Sequence, residues 1–172
     1  MVIEKNTVVT LHYRLQKDDA DGKLIEETYG KRPLTFLYGV ERMIPRFEEE
    51  LLGLKRGDDF AFTVKMQNAY GAYHDNMVVT LPVSSFMVNG KLAKNLLVVG
   101  KRVPMQDENG NQLEGIVQEV REDDEEVVVD FNHPHAGMDL YFCGRVQNVR
   151  KASPEELSNH QAQPLGRRQA QR

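Results

Sequence analysis

Apolar and polar positions alternate from the start of the chain. Val9, Leu11, Tyr13 and Leu15 fall on one face of the run Thr7–Leu15, with Thr10, His12 and Arg14 between them. A period of two predicts a strand buried on one side. Asp21-Gly22 is a turn signal, and a second short strand is predicted at Leu24–Glu27. The period then lengthens. Over Pro45–Leu52, Phe47 and Leu51 stand four apart and share a helical face. Pro45 suits the first helical position, and Glu48, Glu49 and Glu50 lie early, where the helix dipole favours negative charge. Gly53 provides a left-handed stop, with Leu54 packing back on the last turn. After the Arg56-Gly57-Asp58 turn, Phe60, Phe62, Val64 and Met66 alternate as another strand.

From Met77 to about Val129 the texture changes. Short apolar runs at Val78–Leu81, Leu96–Val99, Ile116–Val120 and Val127–Val129 are separated by turns at Asn89-Gly90, Asn109-Gly110 and Glu122–Glu126. Short strands, polar turns and almost no helical pattern predict a small antiparallel β domain. Alternation resumes at Leu140–Val149, with Leu140, Phe142, Gly144 and Val146 on one face. Ser153-Pro154-Glu155-Glu156 has the form of a capping box and predicts a short helix. Gln161–Arg172 is polar, contains Pro164 and Gly166, and is expected to be disordered.

Composition narrows the classes. Of 172 residues, 40% are hydrophobic, seven are Phe and six Tyr, enough for a globular core. The net charge of -4 argues against a nucleic-acid surface and a polybasic membrane anchor. The lone Cys143 excludes an internal disulfide, fits a reducing compartment, and reads as structural within Leu140–Val146. Met1–Thr10 lacks the apolar core of a secretion signal, and no stretch is long enough to cross a bilayer. A soluble, cytoplasmic protein is expected.

Several segments, in order, resemble the SlyD-like branch of the FK506-binding prolyl isomerases, over roughly Val2–Leu157. They are Val9-Thr10-Leu11-His12-Tyr13, Asp21–Thr28, Pro33–Gly39, Met43–Glu48, Leu52–Asp58, and the most specific, Asn68-Ala69-Tyr70-Gly71-Ala72-Tyr73. Asn132-His133-Pro134-His135-Ala136-Gly137 is similar to the segment by which that branch re-enters its main domain, and Leu140-Tyr141-Phe142 to its last strand. The resemblance implies an α+β fold, a twisted antiparallel sheet wrapped on a short helix, interrupted by an inserted antiparallel β domain that binds unfolded chains. The expected division is 1–75 with 130–152 for the isomerase domain, 76–129 for the insert, and 153–172 for a short helix and flexible tail.

The same resemblance implies a peptidyl-prolyl cis-trans isomerase that needs no nucleophile, metal or cofactor. Tyr13, Phe36, Phe47, Tyr70 and Phe142 would wall its pocket, with Ile44 at the floor. The Ile44 amide and the Tyr70 hydroxyl would donate to substrate carbonyls, and Glu26 would be the polar element. Read without the family, Tyr13, Phe36, Phe47 and Phe142 are more often plain core residues, Tyr70 is a loop aromatic beside a glycine, and Glu26 is a solvated strand carboxylate. The implied partners are unfolded or partly folded polypeptides with X-Pro bonds, met by a monomer, with no nucleic acid and no membrane. In the insert, Phe86, Met87, Val88, Leu92, Leu96 and Leu97 are candidates for the chain-binding surface or for its own core.

Two departures define the alternatives. The family's pocket aspartate aligns with Glu26, one methylene longer, which opens the reading of a holdase chaperone with weak or absent isomerase activity. The branch's His- and Cys-rich metal-binding tail is reduced here to His160. His133 and His135 are two candidate metal ligands without a third at a convincing spacing, and a local backbone hydrogen bond is the competing use of His133.

Overall fold

The computed structural model describes residues 1–163. In chain order the elements are β1 (Thr7–Lys17), β2 (Leu24–Glu27), β3 (Leu34–Leu37), α1 (Pro45–Leu51), β4 (Asp59–Val64), β5 (Val78–Pro82), β6 (Met87–Val88), β7 (Lys91–Leu92), β8 (Arg102–Gln106), β9 (Gln112–Arg121), β10 (Glu126–Asp130), β11 (Leu140–Lys151) and α2 (Pro154–Asn159). They form two compact units, one of Met1–Gly71 with the chain from Gly137, the other of Ala72–Ala136.

In the first unit, β2, β1, β11 and β4 lie side by side, and β3 also pairs with β1. Every pairing is antiparallel. The inner face holds the core: Val9, Leu11, Tyr13 and Leu15 from β1, Phe60 and Val64 from β4, Leu140, Phe142 and Val146 from β11, closed by Phe47 and Leu51 of α1. β1 departs from the one-sided burial expected of it. Val8 is buried on its outer face with Leu37 and Ala152, and partly buried Leu157 packs against them, so α2 covers that part of the sheet.

A bulge interrupts β1 against β11: Thr10 pairs with Asn148 but Leu11 with Val146, leaving Gln147 extra. The inward set of β11 therefore shifts from the even positions to Val149. Opposite Tyr13, Gly144 is sterically required, because a Cβ there would lie 2.0 Å from the His12 carbonyl oxygen and 2.7 Å from the Phe60 ring.

The helix ends at Leu51, one residue short of the expected end, and Gly53 (φ 82°) turns the chain so that its N–H donates to the Ile3 carbonyl at 2.9 Å. Met66 does not extend β4. Its N–H donates to Asp139 Oδ1 at 2.9 Å, and a 3-10 turn occupies Met66–Asn68.

The second unit is a sheet in the order β5-β10-β9-β8, around Phe86, Val103, Val117, Val127 and Val129. The Asn89-Gly90 turn has both residues at positive φ, 52° and 76°, and joins the β6–β7 hairpin. Leu96–Val99 is not a strand. Leu96 and Leu97 both pack on the same core, which consecutive strand residues, facing opposite ways, could not do. A 3-10 turn over Lys94–Leu96 allows it. Phe86 is core and not surface.

The capping box of α2 is formed: Ser153 Oγ accepts from the Glu156 N–H at 3.2 Å, and Glu156 Oε2 accepts from the Ser153 N–H at 2.8 Å. Glu156 is only 2% exposed and also accepts from both Arg150 Nη atoms, at 2.8 and 2.6 Å, and from the Gln163 N–H at 2.7 Å. The disorder expected of Gln161–Arg172 falls on 164–172, which lie outside the described residues.

The Arg150 hydrogen bonds, aided by the Gln163 and Ser153 amides, hold the Glu156 carboxyl down at about 2, against an ordinary 4.5. A depressed carboxyl stabilises the fold above its ordinary range and loses that contribution as pH falls towards its folded value. Glu156→Gln should therefore cost about 2 kcal/mol at neutral pH. In urea unfolding followed from neutral to acid, the gap to the parent protein should close as pH drops below 4.5. A gap independent of pH would contradict the assignment.

Candidate functional site

Each strand of the first sheet, together with α1, delivers a residue to one place. Phe47, at the third position of α1, is 1% exposed and occupies the centre. Its ring centroid lies 4.9 Å from Phe142 on β11, 5.7 Å from Phe62 on β4 and 6.1 Å from Phe36 on β3, at interplanar angles of 55–65°. Edge-on packing of this kind sets the positive edge of one ring on the negative face of the next. Tyr13 on β1 completes the group, 5.9 Å from Phe142.

Of the residues expected at the site, Tyr13, Phe36, Phe47 and Phe142 are thus in one cluster, with Ile44 packed against it. Phe47 lies beneath the other rings and away from solvent. Phe62 was missing from the expected set. It is partly buried, its ring 5.7 Å from Phe142 and tilted by 31°, and its strand alternation was the only signal that could have included it.

Polar groups sit at the margin. The Tyr13 hydroxyl donates to Glu26 Oε1 at 2.8 Å, so the longer acid does meet the tyrosine. Burial foremost, then Glu26 as hydrogen-bond partner and as charge, pushes the Tyr13 phenol well above its usual 10, with a smaller push from Tyr70. Tyr13 therefore stays neutral and its proton is committed to Glu26.

Ile44 caps α1, its carbonyl accepting from the Phe47 and Glu48 amides at 2.9 and 3.3 Å, while no acceptor among the described residues takes its own N–H. Tyr70 is 40% exposed. It is held in a fastened loop: the Gly71 N–H donates to the Met66 carbonyl at 2.7 Å, the Gly71 carbonyl accepts from Gly137 at 2.8 Å, and Ala69 packs on the core. Gly71, at φ 75°, takes a conformation that other residues rarely adopt.

In the second unit His133 Nδ1 accepts the His135 backbone N–H at 3.0 Å, and their rings lie 5.4 Å apart. His133 Nδ1 is thus used by the backbone, the local role weighed against metal ligation. Desolvation, then His135 and Arg102, lowers the His133 pKa. Among the described residues no group of three or more His, Cys, Asp or Glu is placed to hold a metal ion. The set supports binding of an apolar ring beside hydrogen-bonded carbonyls, chemistry that proceeds without a nucleophile.

Residues 2–88 match the family model described as FKBP-type peptidyl-prolyl cis-trans isomerase. The chain is 36% identical over 159 residues to the FKBP-type peptidyl-prolyl cis-trans isomerase SlyD of Pasteurella multocida, covering 92% of this chain and 75% of that protein. It is 34% identical over 159 residues to SlyD of Escherichia coli, covering 92% and 76%. A probable FKBP-type 16 kDa peptidyl-prolyl cis-trans isomerase of Pseudomonas fluorescens is 35% identical over 148 residues, 86% of this chain and 92% of that one.

A raised phenol contributes stability below its ordinary pKa and loses it as pH rises through the folded value. Tyr13 should accordingly remain protonated at roughly pH 11, where exposed tyrosines ionise. Glu26→Gln keeps an acceptor but removes the charge, so the Tyr13 hydroxyl should titrate lower than in the parent, though still above ordinary tyrosine because burial persists. Carbon-13 NMR of labelled tyrosine, with Tyr13→Phe for assignment, reads this; an unchanged titration would sink the proposed coupling.

Proposed function

The chain belongs to the SlyD-like FKBP-type peptidyl-prolyl cis-trans isomerases, and we propose that it turns X-Pro bonds in the cluster of Tyr13, Phe36, Ile44, Phe47, Phe62, Tyr70 and Phe142, with Glu26 as its polar margin. The observation that carries this reading is the 2.8 Å Tyr13–Glu26 hydrogen bond beside packed aromatic rings. Rotation about a peptide bond meets a barrier of about 18–20 kcal/mol because twisting breaks amide resonance. The twisted state is less dipolar than the planar one, so a water-poor aromatic surface disfavours the ground state more than the transition state. The proline ring lies against Tyr13, Phe36 and Phe142, which keep 7–9% of their surface open. The Ile44 N–H and Tyr70 hydroxyl hold the flanking carbonyls, and Glu26 keeps the Tyr13 phenol oriented. The Glu26 carboxylate reaches Tyr13 despite its extra methylene, which supports the isomerase reading over that of a holdase with a weak pocket.

The substrates in this reading are unfolded or partly folded polypeptides, held by the second unit while the pocket acts. Met87 and Val88 support it: they are 47% and 54% exposed on the short β6–β7 hairpin, and Val98 and Val99 are more than half exposed beyond it. Leu92, Leu96 and Leu97 instead pack partly into that unit's own core. Apolar side chains open to solvent suit contacts to extended apolar chain. No helix among the described residues is long and apolar enough to cross a membrane. We further propose a cytoplasmic monomer without nucleic-acid or membrane partners, in keeping with the net charge of -4.

Two outcomes test the division of labour. In a protease-free assay on a proline-limited refolding protein, Tyr70→Ala should slow isomerisation roughly tenfold, which is about 1.4 kcal/mol of barrier, while aggregation suppression survives. An unaltered rate would remove Tyr70 from the pocket. The pair Met87→Ser with Val88→Ser should weaken activity on the refolding protein and spare a short prolyl peptide; equal effects on both substrates would contradict the chain-binding role.

A further inference from the structure

The strand that carries Glu26 ends in an unusual way. Arg14 pairs with Glu27 and Leu15 with Glu26, so the next rung of the β1–β2 ladder would join Tyr13 to Thr28. Half of that rung is ordinary: the Thr28 N–H donates to the Tyr13 carbonyl at 3.0 Å. The other half is not. The Thr28 carbonyl turns away to accept from the Lys31 N–H at 3.0 Å, and the Tyr13 N–H donates at 3.0 Å to the Thr28 side-chain Oγ1. The buried threonine hydroxyl thus replaces a backbone acceptor at the residue whose phenol meets Glu26.

The hydroxyl has a second partner. His12 Nδ1 lies 3.0 Å from Thr28 Oγ1. Since Oγ1 already accepts from Tyr13, its own proton is directed at His12 when that nitrogen is unprotonated. His12 is in turn stacked on Tyr29, with ring centroids 5.2 Å apart and planes 23° apart, and Arg14 lies over the same ring at 5.4 Å. Of these outer residues, His12 is the one linked to the Tyr13 backbone, through the Thr28 hydroxyl.

We propose that Thr28 is a positioning residue for the isomerase reaction, its hydroxyl fixing the Tyr13 backbone so that the phenol meets Glu26. This rests on the pocket reading above. Without the hydroxyl, the Tyr13 N–H would be a buried donor lacking an acceptor, and β1 would shift locally to find one. Tyr13 projects from that peptide, so a small displacement there moves the phenol away from the carboxylate.

Thr28→Val retains shape and removes the hydroxyl, whereas Thr28→Ser restores it. On a short prolyl peptide, Thr28→Val should lower kcat roughly tenfold with KM little changed, in the manner of a misplaced catalytic group. Its Tyr13 Cζ resonance should move in the direction expected for Glu26→Gln, and Thr28→Ser should return both readouts most of the way to the parent values. A Thr28→Val protein with parental rate and resonance, or a Thr28→Ser protein as impaired as Thr28→Val, would overturn the proposal. Should Thr28→Val fail to fold, Thr28→Ala serves instead: it removes the hydroxyl without placing a methyl in its stead. A displaced Tyr13 resonance supports the proposal there, and an unmoved one overturns it. The Tyr13→Ala rate separates the two readings. If Tyr13→Ala is as fast as the parent, the pocket assignment fails, while the resonance of Thr28→Val still decides whether Thr28 positions Tyr13.

Discussion

The hydrogen bond from the Tyr13 phenol to Glu26 is the constraint around which the site is arranged. It joins the centre of the sheet to its edge, since Tyr13 lies on β1 between β11 and β2. It also fixes chemistry. A phenol that is buried and faces a carboxylate stays neutral, with its proton already committed. In the proposed pocket Tyr13 is a shaped, oriented wall and not an acid. The substrate carbonyls are assigned there to the Ile44 amide and the Tyr70 hydroxyl.

That division suits a reaction in which no bond between heavy atoms is made or broken. Acceleration has to come from treating planar and twisted imides differently, and aromatic faces with few competing donors do so. The requirement explains why the cluster is held so tightly. Phe47 touches Phe36, Phe62 and Phe142, so one helix turn sets the spacing of three strands. Gly144 matters for the same reason, because a side chain there would separate β11 from β1 beside Tyr13.

Much of this is legible in the chain. The period-two run of β1, the Phe47–Leu51 spacing of α1 and the Ser153–Glu156 capping box are local signals, and local physics decides them. Tyr13, Phe36, Phe47 and Phe142 could be named in advance only through the resemblance to a family, since alternating aromatics look the same in any core. Met66 escaped the strand period because its N–H is taken by Asp139, far along the chain. Leu96 and Leu97 misled because a 3-10 turn, not a strand, lets both reach one core. Val8 looked solvent-facing because α2, which covers it, follows only at Pro154. The threonine that braces Tyr13 was invisible, because a side chain standing in for a carbonyl depends on the register of two strands.

The most direct measurement is exchange NMR on a short proline peptide mixed with a catalytic amount of the full chain. The account predicts faster cis–trans interconversion, together with magnetisation transfer from the bound proline ring to the side chains of Tyr13, Phe36 and Phe142. Interconversion at the uncatalysed rate, or transfer confined to residues 72–136, would contradict it.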